Sequence, residues 1–170
     1  MLVRSLHESC PPCSWLIFDV WATSMKNIAT ILGLLFGGFA LACLSGAGYT
    51  KAGQVGIAAV FAFTALGHFV KQDEMLAMLP PFLPARRALV ILSGGLELLF
   101  AAGVLLSAFT KVTGVVICCF LIIVTPLNIY SALRRVNFGG HAAGPKYLLV
   151  RLPLQVLLLV WTYWFAVRFR

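Results

Sequence analysis

Five stretches of this chain are apolar for long enough to cross a bilayer: roughly residues 27–45, 53–70, 87–109, 112–133 and 148–166. A membrane-spanning helix needs about 20 such residues at 1.5 Å rise, with about 17–25 tolerated. In hydrocarbon every backbone N–H and C=O must be bonded within the protein, so only helices and closed barrels can cross. The runs lack the two-residue alternation of barrel strands. An all-α, polytopic transmembrane helix bundle is therefore expected. Composition agrees: 11% of residues are charged, against about 25% in a soluble domain. Residues 27–170 form one bundle domain, with no room for a second.

Residues 1–26 differ in character from the rest. They read as an N-terminal segment that is either disordered or, with Met25 as the true start, not translated. Lys26 and the apolar run 28–42 also resemble a secretory signal, and Ala40-Leu41-Ala42-Cys43 a poor lipoprotein cleavage box. The expectation is an uncleaved helix.

The connections carry topology. Pro80, Pro81 and Pro84 forbid a continuous helix through the longest one, 71–87. Residues 71–79 are either one short amphipathic turn on the membrane surface or an ordinary loop. The stretch 134–146 is a flexible loop broken by Gly139, Gly140, Gly144 and Pro145. With five spans, Arg4, Lys26, Lys71, Arg86, Arg87, Arg134, Arg135 and Lys146 share one side, while Lys51, Lys111, Arg168 and Arg170 share the other. Positive charge favours the cytoplasm, which predicts the inner (cytoplasmic) membrane with the N-terminus in and the C-terminus out. The net charge of +8 is thus spread between apolar runs rather than gathered on one face. That points to the lipid bilayer as partner and away from nucleic acid.

Glu97 stands alone in its span, with no charged neighbour between Arg87 and Lys111. A charge at the centre of a span costs about 2.5–3.5 kcal/mol on insertion scales, so such residues face the bundle interior and often mark function. Measured from the 71–87 and 134–146 side, Glu97 lies about 15 Å deep, Asn128 about 9 Å, and Arg151 and Gln155 about 7 and 13 Å. His68 lies near that surface. All five occupy the same half of the bilayer. Ser93, Gly94, Glu97 and Ala101 share one helical face, as do Thr125, Asn128 and Ala132, and as do Arg151, Gln155 and Thr162. The residues His68, Glu97, Asn128, Arg151 and Gln155 are either a ligand-accessible pocket or a polar clamp that sets helix register. A Glu97–Arg151 ion pair would neutralise both charges, and His68 could give or take a proton.

The strings GHFVKQDEMLAMLPPFLP (67–84), SGGLEL (93–98), TPLNIYSA (125–132) and RLPLQ (151–155) occur in that order. Together they resemble the DoxX-like family of small membrane proteins over roughly residues 55–166. The resemblance implies a four-helix membrane bundle, to which the span 27–45 is an addition. It carries the family's recurrent positions onto His68, Pro80, Pro81, Gly94, Glu97, Pro126, Asn128, Arg151 and Gln155. It also implies association with redox systems linked to quinones or thiols.

Other motifs are less productive. Cys10-Pro-Pro-Cys13 is a C-x-x-C without a thioredoxin-like context or a second pair. Cys43, Cys118 and Cys119 read as small packing residues. His7, His68 and His141 have no metal-ligand spacing, so no metal site is expected. Gly33 and Gly37 form a G-x-x-x-G, either a helix-contact face or a chance occurrence. Trp161, Tyr163, Trp164 and Phe165 read as an aromatic belt, with Tyr130 and Tyr147 opposite.

Three functions fit these residues. The first is a membrane subunit or accessory of a quinone- or thiol-linked redox system. There His68 and Glu97 would handle protons, Arg151, Asn128 and Gln155 would hold carbonyl oxygens, and a quinone would be the small redox partner. The second is a non-enzymatic scaffold or a bundle binding small solutes or lipids, since no nucleophile, metal cluster or cofactor motif is present. The third is a proton-coupled transporter built on Glu97, which with five short spans would require oligomerisation. A redox partner protein and a homo-oligomer are the protein partners these readings call for. The sequence leaves open whether the chain is an enzyme.

Overall fold

The computed structural model describes residues 13–136 and 141–168. Arg4, His7, Cys10, Gly139, Gly140 and Arg170 lie outside them. The described residues form six α-helices and no strand: α1 (Cys13–Leu44), α2 (Tyr49–Val70), α3 (Gln72–Met78), α4 (Arg86–Leu105), α5 (Thr110–Leu133) and α6 (Pro145–Thr162). A 3-10 turn, His141–Ala143, precedes α6, and a π-helical turn, Tyr163–Arg168, continues it. Five helices are long and apolar enough to cross a membrane: Met25–Leu44 within α1, then α2, α4, α5, and α6 with its π-helical continuation. This is the architecture of a multi-pass membrane protein. Helix α1 begins at Cys13, well before the apolar run it contains.

Local chemistry sets the boundaries. After α1, Gly46 takes φ +84°, and Ala47 N donates to Ala42 O at 3.0 Å, the glycine-dependent closure of a helix C-terminus. Residues 72–78 are helical, so the surface-turn alternative for 71–79 is the one adopted; Pro80 and Pro81 follow directly. Helix α6 starts with Pro145 at its first turn, where a missing N–H costs nothing. Pro126 sits inside α5 and withholds a donor from the preceding turn.

Inside and outside are inverted relative to a soluble protein. Leu99, Ile123 and Leu149 are 69%, 69% and 77% exposed, a surface suited to acyl chains. A single apolar cluster joins α1, α2, α4, α5 and α6 through residues such as Leu35, Ile57, Val104, Ile117 and Leu158. Helix α2 is the central element, packed extensively on both α1 and α4. Its contact with α1 is made backbone to backbone. A methyl group on Gly56 would run into the Leu35 carbonyl, and one on Gly38 would lie 3.2 Å from Gly56 Cα. A methyl group on Gly33 or Gly37 would meet nothing within 4 Å, so the G-x-x-x-G is not a contact face among the described residues.

At the Tyr49 end of the bundle, aromatic rings fill the space between α1, α2 and α6. Phe165 lies against Gly53, where no side chain could fit, and its ring centroid is 5.0 Å from that of Trp161. Trp161 Nε1 donates to Gly53 O at 3.0 Å, and Gln54 Nε2 donates to Phe165 O at 3.1 Å. Trp161 and Phe165 therefore pack inward, while Tyr163 and Trp164 are exposed as a belt requires. Tyr147 is no belt residue: it is buried, with its ring 4.7 Å from His141. Cys43 and Cys119 are exposed free thiols, and Cys118 is half-buried, so none of the three fills the core.

Candidate functional site

His68 and Glu97 meet where α2 crosses α4. The crossing is close because Gly94 has no side chain: a methyl group there would lie 2.6 Å from His68 Cβ. One turn further along α4, Glu97 is 6% exposed, and its Oε1 lies 3.6 Å from His68 Nε2. The other ring nitrogen is held on α4 as well. His68 Nδ1 is 3.0 Å from Val90 O and 3.0 Å from Ser93 Oγ. Ser93 Oγ donates its own hydrogen to Val90 O at 2.9 Å. Both neighbours of Nδ1 are then acceptors, so Nδ1 carries the hydrogen.

That assignment defines the chemistry at Nε2. With Nδ1 protonated, Nε2 is the ring atom left to gain or lose a proton, and it faces the Glu97 carboxyl group. At 3.6 Å the pair is at ion-pair distance. Direct transfer needs it to close by roughly 0.7 Å to reach hydrogen-bond length. Glu97 Oε2 is buried with no hydrogen-bond partner among the described residues. One oxygen thus addresses His68, and the other is enclosed without a described donor.

The remaining sequence-predicted residues do not join this pair. The expected Glu97–Arg151 ion pair is not formed: no contact within ion-pair distance links them, and Glu97 is turned toward α2. The physical reason is the Gly94 crossing, which brings the His68 imidazole to Glu97. Arg151 is half-buried, and its Nε has no acceptor among the described residues. Gln155 is buried and donates through Nε2 to Leu121 O at 2.7 Å, an acceptor one turn before Pro126 that also takes the Thr125 hydroxyl at 2.8 Å. Asn128 is buried on α5, and its backbone oxygen accepts from Ser131 Oγ at 3.0 Å. The five residues are all turned inward to some degree, but they act in separate places: His68 and Glu97 between α2 and α4, Gln155 between α6 and α5.

Two grooves lie elsewhere. One of about 310 Å³ is walled by Phe36, Phe39, Tyr49, Trp161, Trp164 and Phe165. The other, about 450 Å³, runs along alanines and leucines of α2 and α4. Neither is lined by any of the five residues. Among the described residues no group of three His, Cys, Asp or Glu is placed to hold a metal ion. Sequence reasoning placed Ser93 on the face of Glu97 but missed its role in orienting the imidazole. It passed over Gln54, whose signal was being the lone amide in the second span.

Residues 57–166 match the family model described as "Domain of unknown function (DUF8561)", and the chain belongs to that family. The matched region holds His68, Glu97, all of α4 and α2 from Ile57 onward. No curated protein and no solved structure matches the chain.

Proposed function

We propose that this DUF8561 protein is the membrane subunit or accessory of a quinone- or thiol-linked redox system, and that its His68–Glu97 couple supplies or accepts the proton that accompanies electron transfer. The observation that carries the proposal is the buried pair itself: an imidazole with one nitrogen committed to Val90 O and Ser93, and the other facing a carboxylate. A pair built only to hold helices together has no need of an exchangeable proton. Intramembrane ionisable groups of this kind characteristically belong to proton-handling sites. The redox assignment comes from the DoxX-like resemblance of the strings around His68, Glu97, Asn128 and Arg151. The cytoplasmic membrane, with the N-terminus inside, is the location proposed from the charge distribution.

In this reading Glu97 Oε2 receives a proton from a quinol or dithiol whose electrons pass to the partner redox protein, and His68 passes a proton toward the Lys71 end of α2. His68 has the exposure for that exchange, its side chain being 18% accessible against 8% for Glu97. The test is direct. Protein purified in mild detergent should bind a quinol, and Glu97→Gln should weaken that binding by about tenfold, the loss of one charged hydrogen bond. A protein that binds none of the common quinols, and that shows no thiol exchange with a membrane dithiol donor, overturns the proposal.

A second reading, a non-enzymatic scaffold, is favoured by a different observation. Gln155 spends its amide hydrogen on the α5 backbone, and Gly94 locks α2 onto α4, both of which fix helix positions. Under that reading Glu97→Gln leaves every binding and turnover assay unchanged and alters only co-purification of a partner.

A further inference from the structure

Arg151 is a permanent positive charge six residues into α6, about 9 Å along the helix axis from Pro145. Its side chain is half-buried, and its Nε is fully enclosed with no acceptor among the described residues. Three of the chain's carboxylates are engaged elsewhere. Glu97 faces His68 at 3.6 Å, Glu74 faces Lys71 at 3.4 Å, and Asp73 faces Arg87 at 3.9 Å. A guanidinium cannot shed its proton to escape burial, so an unpaired one inside a span is expensive.

The surroundings add further positive charge. The same end of the bundle carries Arg134 and Arg135 at the close of α5 and Lys146 at the start of α6, all exposed. Arg135 folds back over α6, since a methyl group on Gly144 would lie 3.1 Å from its Nε. Arg134 leans on the Tyr130 ring, its guanidinium carbon 5.6 Å from the centroid. Four cations thus gather at one end of α5 and α6.

We infer that this end of α5 and α6 binds a phosphoryl oxyanion presented by an anionic phospholipid, with Arg151 as the anchoring residue. A guanidinium matches a phosphate with two parallel hydrogen bonds, and with Nε enclosed its two terminal Nη groups are the pair left to make them. The phospholipid is favoured over dissolved phosphate by position. Arg151 lies within the span, where a headgroup dips and a long cationic side chain rises to meet it, whereas an aqueous anion would have to leave water. Basic clusters between helices at the cytoplasmic surface are suited to such headgroups. The site is separate from the His68–Glu97 couple and stands whether or not that couple serves redox chemistry.

Native mass spectrometry of the full chain in mild detergent tests this, with phosphatidylglycerol and phosphatidylcholine as the probes. The expected result is retention of phosphatidylglycerol at least about tenfold over phosphatidylcholine, lost in Arg151→Gln. Arg151→Lys keeps the charge and guards against a folding defect in the first variant. It should lower the preference several-fold, because an ammonium has no fork. Equal retention of the two lipids, or an undiminished preference in both variants, overturns the site. Displacement of phosphatidylglycerol by excess inorganic phosphate overturns the lipid source and assigns the same residues to a free anion.

Discussion

At the Tyr49 end of the bundle, polar side chains bond to backbone carbonyls of neighbouring helices. Gln54 reaches Phe165 O, Trp161 reaches Gly53 O, and Lys51 Nζ reaches Leu105 O at 3.1 Å. At the Arg151 end, the ionisable groups instead face another titratable group or no protein acceptor: His68 toward Glu97, Arg151 toward no described partner. The difference is chemical. An amide or indole N–H bonded to a carbonyl has one arrangement, so it can position helices and nothing more. An imidazole facing a carboxylate has two arrangements that differ by the place of one proton, so it can also change state. The Tyr49 end is the frame, and the His68 end holds the parts that can respond.

Substitutions separate the two ends. The largest effect is expected from Gly56→Leu. The Leu35 carbonyl stands where the new side chain must go, and backbone cannot step aside as a side chain can. Loss of the monodisperse peak in size-exclusion chromatography is the expected outcome. A normal peak would show that the α1–α2 crossing is not part of the frame. Gly94→Ala comes next. Overpacking there should lower thermal stability by about 1–3 kcal/mol and should also move the His68 ring nitrogens, read as altered ¹⁵N chemical shifts. Unchanged imidazole shifts would mean that Gly94 does not set the couple's geometry.

Trp161→Phe should lower stability by about 1 kcal/mol, one buried hydrogen bond, and leave the imidazole signals alone. A change in those signals would break the separation between frame and responsive end. The smallest effect belongs to Gln155→Leu, at most about 1 kcal/mol. Leu121 O keeps the Thr125 hydroxyl when the amide is removed. A larger loss, seen in thermal unfolding, would make Gln155 the principal tie between α5 and α6.

Much of the fold was legible because hydrocarbon tolerates few alternatives. Five apolar runs led to five helices, and Pro80, Pro81, Gly144 and Pro145 marked real boundaries. The helical start at Cys13 was not legible, since the residues before Lys26 lack the apolar continuity of the span that follows. The π-helical turn at Tyr163–Arg168 was not legible either, because it depends on how Phe165 docks on Gly53.

The inward turn of Glu97, Asn128 and Gln155 followed from helical periodicity, but their partners did not. Periodicity gives the face of a helix and not the distance between helices. A glycine on α4 decided that Glu97 would meet His68 rather than Arg151. Gly94 was placed on the face of Glu97, yet the sequence could not say which neighbour would approach it.

His68 and Glu97 hang from different helices and meet because α2 and α4 touch at Gly94. Helices answer a change in hydrocarbon thickness by leaning more or less steeply. Helix α2 lies along α4 over much of its length, so a change of tilt shears one past the other rather than parting them. Glu97 lies three residues beyond Gly94, and its 3.6 Å gap to the ring is a distance that such a shear alters. Bilayer thickness is then a mechanical input to the spacing of the pair.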